Sequence, residues 1–104
     1  MNILITGFSG FLGRNLLKYF KKKKFKLYGL GRSKKKFDNK NFLIGNVNKK
    51  NLNSFNKNFQ FIIHCAGSGK INYQAKKDYI NNVRSTKNIL DFLKTSPQTK
   101  LIFI

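Results

Sequence analysis

Apolar and polar residues follow two different rhythms along this chain, and the switches between them mark out its elements. Asn2–Thr6 (NILIT) is a short apolar run that predicts a strand. From Phe11 to about Phe20, apolar residues at 12, 16, 17 and 20 fall at helical spacing. The lysines at 21–24 suit a helix C-terminus, where the backbone dipole is negative. Phe25–Leu30 predicts a second strand, closed by Gly31, Arg32 and Ser33, and NFLIG at 41–45 predicts a third. The polar stretch 46–58, with Leu52 and Phe55 three apart, predicts one or two helical turns. FQFIIHCAG at 59–67 is apolar almost throughout and predicts a buried fourth strand. Ala75 to Leu93 is the clearest helix: Tyr79, Val83, Thr86, Leu90 and Leu93 step along one expected core face, and Ser96-Pro97 ends it. LIFI at 101–104 begins a fifth strand.

Strands alternating with helices over short connections imply parallel βαβ units, an α/β architecture. The apolar character of strands one, four and five implies a sheet covered on both faces. No repeat or linker divides the chain, so 1–104 is expected to form one unit that stops at its fifth strand.

Composition adds limits. At 104 residues and 40% apolar, with eleven phenylalanines, the chain can bury a core, though with little margin. No apolar run approaches the roughly 18 residues of a membrane span. The glycine-broken start, with its lysines following rather than preceding it, does not read as a signal peptide. Cys65 is the single cysteine, so no internal disulfide forms, and a reducing cytoplasm fits. One histidine and no second cysteine exclude a Cys/His zinc site.

The net charge is +19, from 22 Lys and Arg against Asp38, Asp78 and Asp91. Two readings stand side by side. Lys, Asn, Phe and Ile are inflated together, as an adenine/thymine-rich coding sequence produces, and the lysines are scattered. Alternatively the charge marks a nucleic-acid surface, with Phe25, Phe37 and Phe42 among lysines as stacking platforms. Either way, polyanions are expected to bind nonspecifically at low salt.

Candidate chemistry begins at TGFSGFLG, where Gly7, Gly10 and Gly13 lie three apart between the first strand and the first helix. In an α/β sheet that corner presents free helix N-terminal amides to the ligand edge, a site for a diphosphate. Gly7 allows the tight exit from the strand, Gly10 lets phosphates approach the backbone, and Gly13 lets the helix lie close on the sheet. The absence of a following Gly-Lys-Ser/Thr excludes a P-loop. The end of the second strand, where a carboxylate would select NAD, carries Arg32 and Ser33 before a lysine run. Arg32 is a planar fork suited to a 2′-phosphate, so NADP is preferred, with NAD possible.

These residues together resemble the extended short-chain dehydrogenase/reductases, the NAD(P)-dependent epimerase/dehydratase family acting on nucleotide sugars. TGFSGFLG at 6–13 is similar to that family's TGxxGFxG turn, and GNV at 45–47 to its Gly-Asp-Leu-like adenine-lining stretch. HCAG at 64–67 resembles its His-x-Ala-Ala element, and NVRSTKNIL at 82–90 its Asn-Val-x-Gly-Thr-x-Asn-Leu-Leu helix. The resemblance covers nearly the whole chain and implies a Rossmann-like doubly wound parallel sheet, truncated at about the fifth strand. It places cofactor contacts at Gly7, Phe8, Ser9, Gly10, Phe11, Leu12 and Gly13. It adds Arg32 and Ser33, Asn46 and Val47, and Cys65, Ala66 and Gly67. Asn46 stands where the family has aspartate, Gly67 where it has alanine and Ser85 where it has glycine.

In that family a Ser or Thr follows strand five and a Tyr-x-x-x-Lys pair comes later. Neither lies where this chain would need it. Tyr19/Lys23 and Tyr73/Lys77 have the spacing but precede strand five, so no catalytic residue is assigned. His64, at the end of a buried strand, reads as a hydrogen-bonded structural residue, and Cys65 as a small buried hydrophobe. Asn82 either reaches the active-site edge or is a solvated helix residue. The expected function is the cofactor-binding N-terminal part of a nucleotide-sugar epimerase, dehydratase or reductase, inactive alone. The rival is a noncatalytic basic module contacting nucleic acid. A nucleotide-sugar substrate is expected only of a full-length relative, and oligomeric state is left open.

Overall fold

The computed structural model describes residues 1–32, 40–66 and 75–104, the side chains of Ala75 and Asp78 excepted. Its elements run β1 (Asn2–Thr6), α1 (Phe11–Lys21), β2 (Lys26–Gly31), β3 (Phe42–Ile44), α2 (Lys49–Ser54), β4 (Phe61–His64), α3 (Ala75–Lys94) and β5 (Lys100–Phe103). The strands form one all-parallel sheet in the order β3-β2-β1-β4-β5. From β1 the chain builds outward to β3, then returns to lay β4 on the other side of β1. The strand order therefore reverses between β1 and β4, the position where open α/β sheets leave a crevice at their carboxyl ends.

Period-two alternation splits the apolar residues between two layers. Ile3, Ile5 and Ile63 bury one sheet face with Phe8 and Leu17, bringing α1 onto it. Leu4, Leu30 and Ile62 bury the other with Leu52 of α2 and Ile89 of α3. On the α1 face β2 carries glycine at 29, where a Cβ would strike the Phe42 ring at 2.2 Å. That space admits the Phe8–Phe42 ring pair, centroids 5.1 Å apart.

Three expectations are corrected. The fourth strand is Phe61–His64 rather than 59–67: Phe59 is buried ahead of it, its carbonyl accepting from the Thr99 hydroxyl. β5 is not covered on both faces, since Ile102 and Phe103 are 43% and 62% exposed. It is an edge strand that pairs, among the described residues, only with β4. On α3 the inward face is centred on Ile89, while Tyr79, Val83 and Leu90 are exposed. The apolar stripe was a poor guide because part of the helix's inner face is polar: Thr86 meets His64, and the Asn88 amide donates to the Val47 carbonyl at 2.9 Å.

Candidate functional site

At the end of β1 the backbone turns through Gly7 at φ +71°, a conformation L side chains rarely adopt. The Gly7 amide donates to the Leu30 carbonyl at 2.8 Å and so ties the turn to β2. A Cβ here would lie 2.7 Å from the Ala66 nitrogen. A Cβ on Gly13 would lie 2.2 Å from the Gly7 oxygen, so the first turn of α1 rests directly on the preceding backbone. Two of the three glycines are therefore required by the chain's own packing.

Gly10 is different. It is the N-cap of α1, in ordinary extended geometry (φ −76°, ψ 174°), and a Cβ on it would meet nothing closer than the Gly7 oxygen at 3.4 Å. It is also exposed. Among the described residues nothing excludes a side chain there, so the bare backbone is clear of them toward the outside. No side chain caps the helix and no acidic residue lies in its first turn. The first intrahelical amide bond of that turn is Arg14 N–H to the Gly10 carbonyl at 2.9 Å, which leaves the amides of Phe11, Leu12 and Gly13 without helical acceptors. A helix N-terminus in this condition attracts an anion.

The same sheet edge carries a cleft of about 350 Å³ whose lining includes Arg32, Asn46, Val47, Ala66, Asn82 and Arg84. Ala66 joins the two halves of the site, since its backbone abuts Gly7 and also lines the cleft. The Asn48 side chain caps α2 through the Asn51 amide, and Asn51 in turn donates to the Asn46 carbonyl. Among the described residues, positive charge in the cleft comes from two arginines and no carboxylate lines it.

The Gly7–Gly13 turn, Arg32, Asn46, Val47 and Ala66 come together at this one edge. The Phe8 side chain is fully buried against Phe42, so it does not reach the cleft. Phe11 is 80% exposed at the first position of α1. Cys65 is half-buried in the cluster beneath α1, and burial pushes its thiol pKa up, so it stays protonated at neutral pH. Ser33 and Gly67 lie outside the described residues, as does Tyr73. Asn82 does line the cleft. Sequence reasoning missed Asn81, Arg84, Ser85 and Asn88, which line it beside Asn82. Their spacing, i, i+3, i+4 and i+7, was a legible polar helix face.

Tyr19 and Lys23 form a surface cation–π pair, the ammonium 5.5 Å from the ring centroid. Tyr19 stands eight residues beyond the start of α1, about 12 Å along its axis from the glycine turn. It belongs to the other end of the helix.

His64 is 1% exposed and lies between two threonines, Nδ1 2.6 Å from Thr6 Oγ1 and Nε2 3.3 Å from Thr86 Oγ1. A neutral imidazole satisfies both, donating with one nitrogen and accepting with the other. The Ala66 amide also donates to Thr6 Oγ1, at 3.3 Å. His64 therefore ties β1, β4 and α3 together beneath the turn. Burial lowers its pKa from 6.5. Below that value the unfolded chain takes up the proton more readily than the folded one, so stability is fully present above pH 6.5 and lost as pH falls. The unfolding free energy from urea melts should fall between pH 7.5 and pH 5.5, by at most about 1.4 kcal/mol for one such group. The step should vanish in His64→Gln, since the chain has no other histidine. An unchanged step in the variant would place its origin elsewhere.

Comparison with known proteins follows the same outline. The family model described as NAD dependent epimerase/dehydratase family matches residues 3–104. A search of curated proteins returned no match. Among solved structures, UDP-glucose 4-epimerase from Bifidobacterium longum, in complex with NAD+ and UDP, is 22% identical with a TM-score of 0.83. The alignment covers 99% of this chain and 36% of that one. dTDP-glucose 4,6-dehydratase from Bacillus anthracis, in complex with NAD, is 24% identical with a TM-score of 0.78, again over 99% and 36%. The UDP-Glc/GlcNAc 4-epimerase of Campylobacter jejuni is 22% identical with a TM-score of 0.81, over 98% and 36%. The chain thus spans about a third of the length of these structures, and it shares their fold.

Proposed function

From the premise that the chain belongs to the NAD dependent epimerase/dehydratase family, we propose that it is a dinucleotide-binding unit which, by itself, does not turn over substrate. The observation that carries this is Gly10, a bare N-cap facing outward at the uncapped start of α1, beside the crevice where strand order reverses. The residues present fit a nicotinamide dinucleotide. A Cβ on Gly10 would fill the cradle its diphosphate needs. The amides of Phe11, Leu12 and Gly13 supply donors, and Arg32 and Asn46 line the adjoining cleft for the adenosine end.

When bound, such a cofactor supplies a hydride acceptor and donor. What this chain contributes is position: a rigid turn fixes the diphosphate, and the Thr6–His64–Thr86 hydrogen bonds hold β1 and β4 at a constant separation beneath it. Arg32 favours a 2′-phosphate, so NADP is the preferred form in this reading, although the dehydratase and epimerase above were solved with NAD. Nucleotide-sugar chemistry is proposed only for a protein that also carries a Ser/Thr after strand five and a Tyr-x-x-x-Lys pair. Cytoplasmic residence is likewise part of the proposal.

Titration with NADPH, NADH and RNA across a salt series tests it. NADPH should bind saturably and persist from about 50 mM to about 200 mM salt, whereas binding carried by phosphates alone collapses over that range. Arg32→Ala should weaken NADPH about tenfold, one charge-assisted contact, while leaving NADH nearly unchanged. Binding to RNA alone, lost as salt rises, would establish the basic-module reading instead. Turnover of a nucleotide sugar by the 104-residue chain would refute the noncatalytic assignment.

A further inference from the structure

A second cleft, of about 580 Å³, lies at the opposite end of the sheet. Lys26 opens β2, Lys40 precedes β3 and Lys57 follows α2, so all three stand at the amino-terminal edge. Along β2 that is about 16 Å from Gly31, at the strand's other end near the dinucleotide crevice. Among the described residues, the lining contains these three lysines and no carboxylate. Leu43 and Phe55 supply an apolar wall.

Lysines on a surface do not by themselves make a site. Tyr28 is the second observation. It lines the cleft, yet is only 6% exposed. Its ring is held edge-on by Phe55 (centroids 5.9 Å apart, 81°) and Phe59 (5.3 Å, 73°). Its hydroxyl makes no hydrogen bond among the described residues. No fully buried side-chain polar atom among the described residues lacks a partner, so this oxygen reaches solvent, and it does so where the residue borders the cleft. A donor fixed by packing and left without an acceptor borders a cavity lined by three lysines.

We propose that this cleft binds a small phosphate monoester, with the Tyr28 hydroxyl donating to a phosphate oxygen among Lys26, Lys40 and Lys57. Lysine serves as a point charge for phosphate, and three of them more than balance a dianion. The volume falls within the roughly 300–1,000 Å³ typical of small-molecule sites, far more than a bare phosphate fills. The remainder accommodates an organic body against Leu43 and Phe55. The site is separate from the dinucleotide edge, so the two ligands do not compete.

The test is an NMR titration of the isotopically labelled full chain with phenyl phosphate, inorganic phosphate and an oligonucleotide. Phenyl phosphate should give saturable shifts at Tyr28, Leu43 and Phe55, leave the Gly7–Gly13 amides in place, and bind more tightly than inorganic phosphate. Tyr28→Phe, which removes one oxygen and no packing atom, should raise the phenyl phosphate Kd about tenfold. Lys57→Gln, at an exposed position whose loss leaves folding intact, should raise it severalfold and provides the reading if the Phe variant is unstable. Unchanged affinity in either folded variant, or shifts spread over every lysine-bearing segment, would overturn the proposal. So would inorganic phosphate binding as tightly as the ester. Tighter oligonucleotide binding at the same amides would assign the lysines to a polynucleotide surface.

Discussion

Gly13→Ala should lower the unfolding free energy by about 3 kcal/mol or more, a large share of the 5–15 kcal/mol typical of a domain. The sign is the informative part. Gly13 lies inside α1, and alanine in a helix interior is ordinarily better than glycine by about 1 kcal/mol. Here the added methyl would sit 2.2 Å from the Gly7 oxygen and 2.7 Å from the Phe8 Cα. Both are backbone atoms, so no rotamer change relieves the contact. The turn cannot withdraw, because Gly7 is itself held against the backbone of Cys65 and Ala66. Lifting α1 instead would open the cluster that Leu17 forms with Ile3, Ile5 and Ile63. A urea melt in which the alanine variant equals or exceeds the parent would show that α1 rides freely on the sheet and that packing does not require glycine at 13.

Gly10→Asp should separate folding from binding. The N-cap already has the extended geometry in which an aspartate accepts from the following amides, and its charge opposes the positive helix end. The variant should therefore gain about 0.5–1 kcal/mol of stability. The same carboxylate occupies the donors a diphosphate needs and repels it, so dinucleotide affinity should fall by about two orders of magnitude, ~2.7 kcal/mol. Paired urea melts and NADPH titrations read both quantities. A variant that binds as well as the parent would mean that the phosphates are not seated at this helix, and the proposed function would fail with it.

The proposed phosphate-ester cleft and the dinucleotide edge stand at opposite ends of the same strands. This makes the net charge of +19 less uniform than it looks in one dimension. The sequence shows lysines in nearly every connection. The fold gathers Lys26, Lys40 and Lys57 beside the Tyr28, Phe55 and Phe59 ring cluster and leaves two arginines beside the crevice. Scatter along the chain was a poor measure of scatter in space.

The sequence by itself determined the order and type of the elements, because the apolar period of each strand and helix is a local property of consecutive residues. It also located the glycine turn, since a position that excludes a Cβ, as at Gly7 and Gly13, is written as glycine. Tertiary structure alone decided which face of α3 turns inward. That depended on Thr86 and Asn88 finding His64 and the Val47 carbonyl, residues far off in the chain. It alone distinguished Gly10 from Gly7 and Gly13, because whether a missing Cβ serves packing or a ligand depends on what stands opposite it. And it alone exposed Ile102 and Phe103, whose apolar run promised burial. Hydrophobic period records what a residue prefers; only the assembled sheet fixes whether a neighbour is there to meet it.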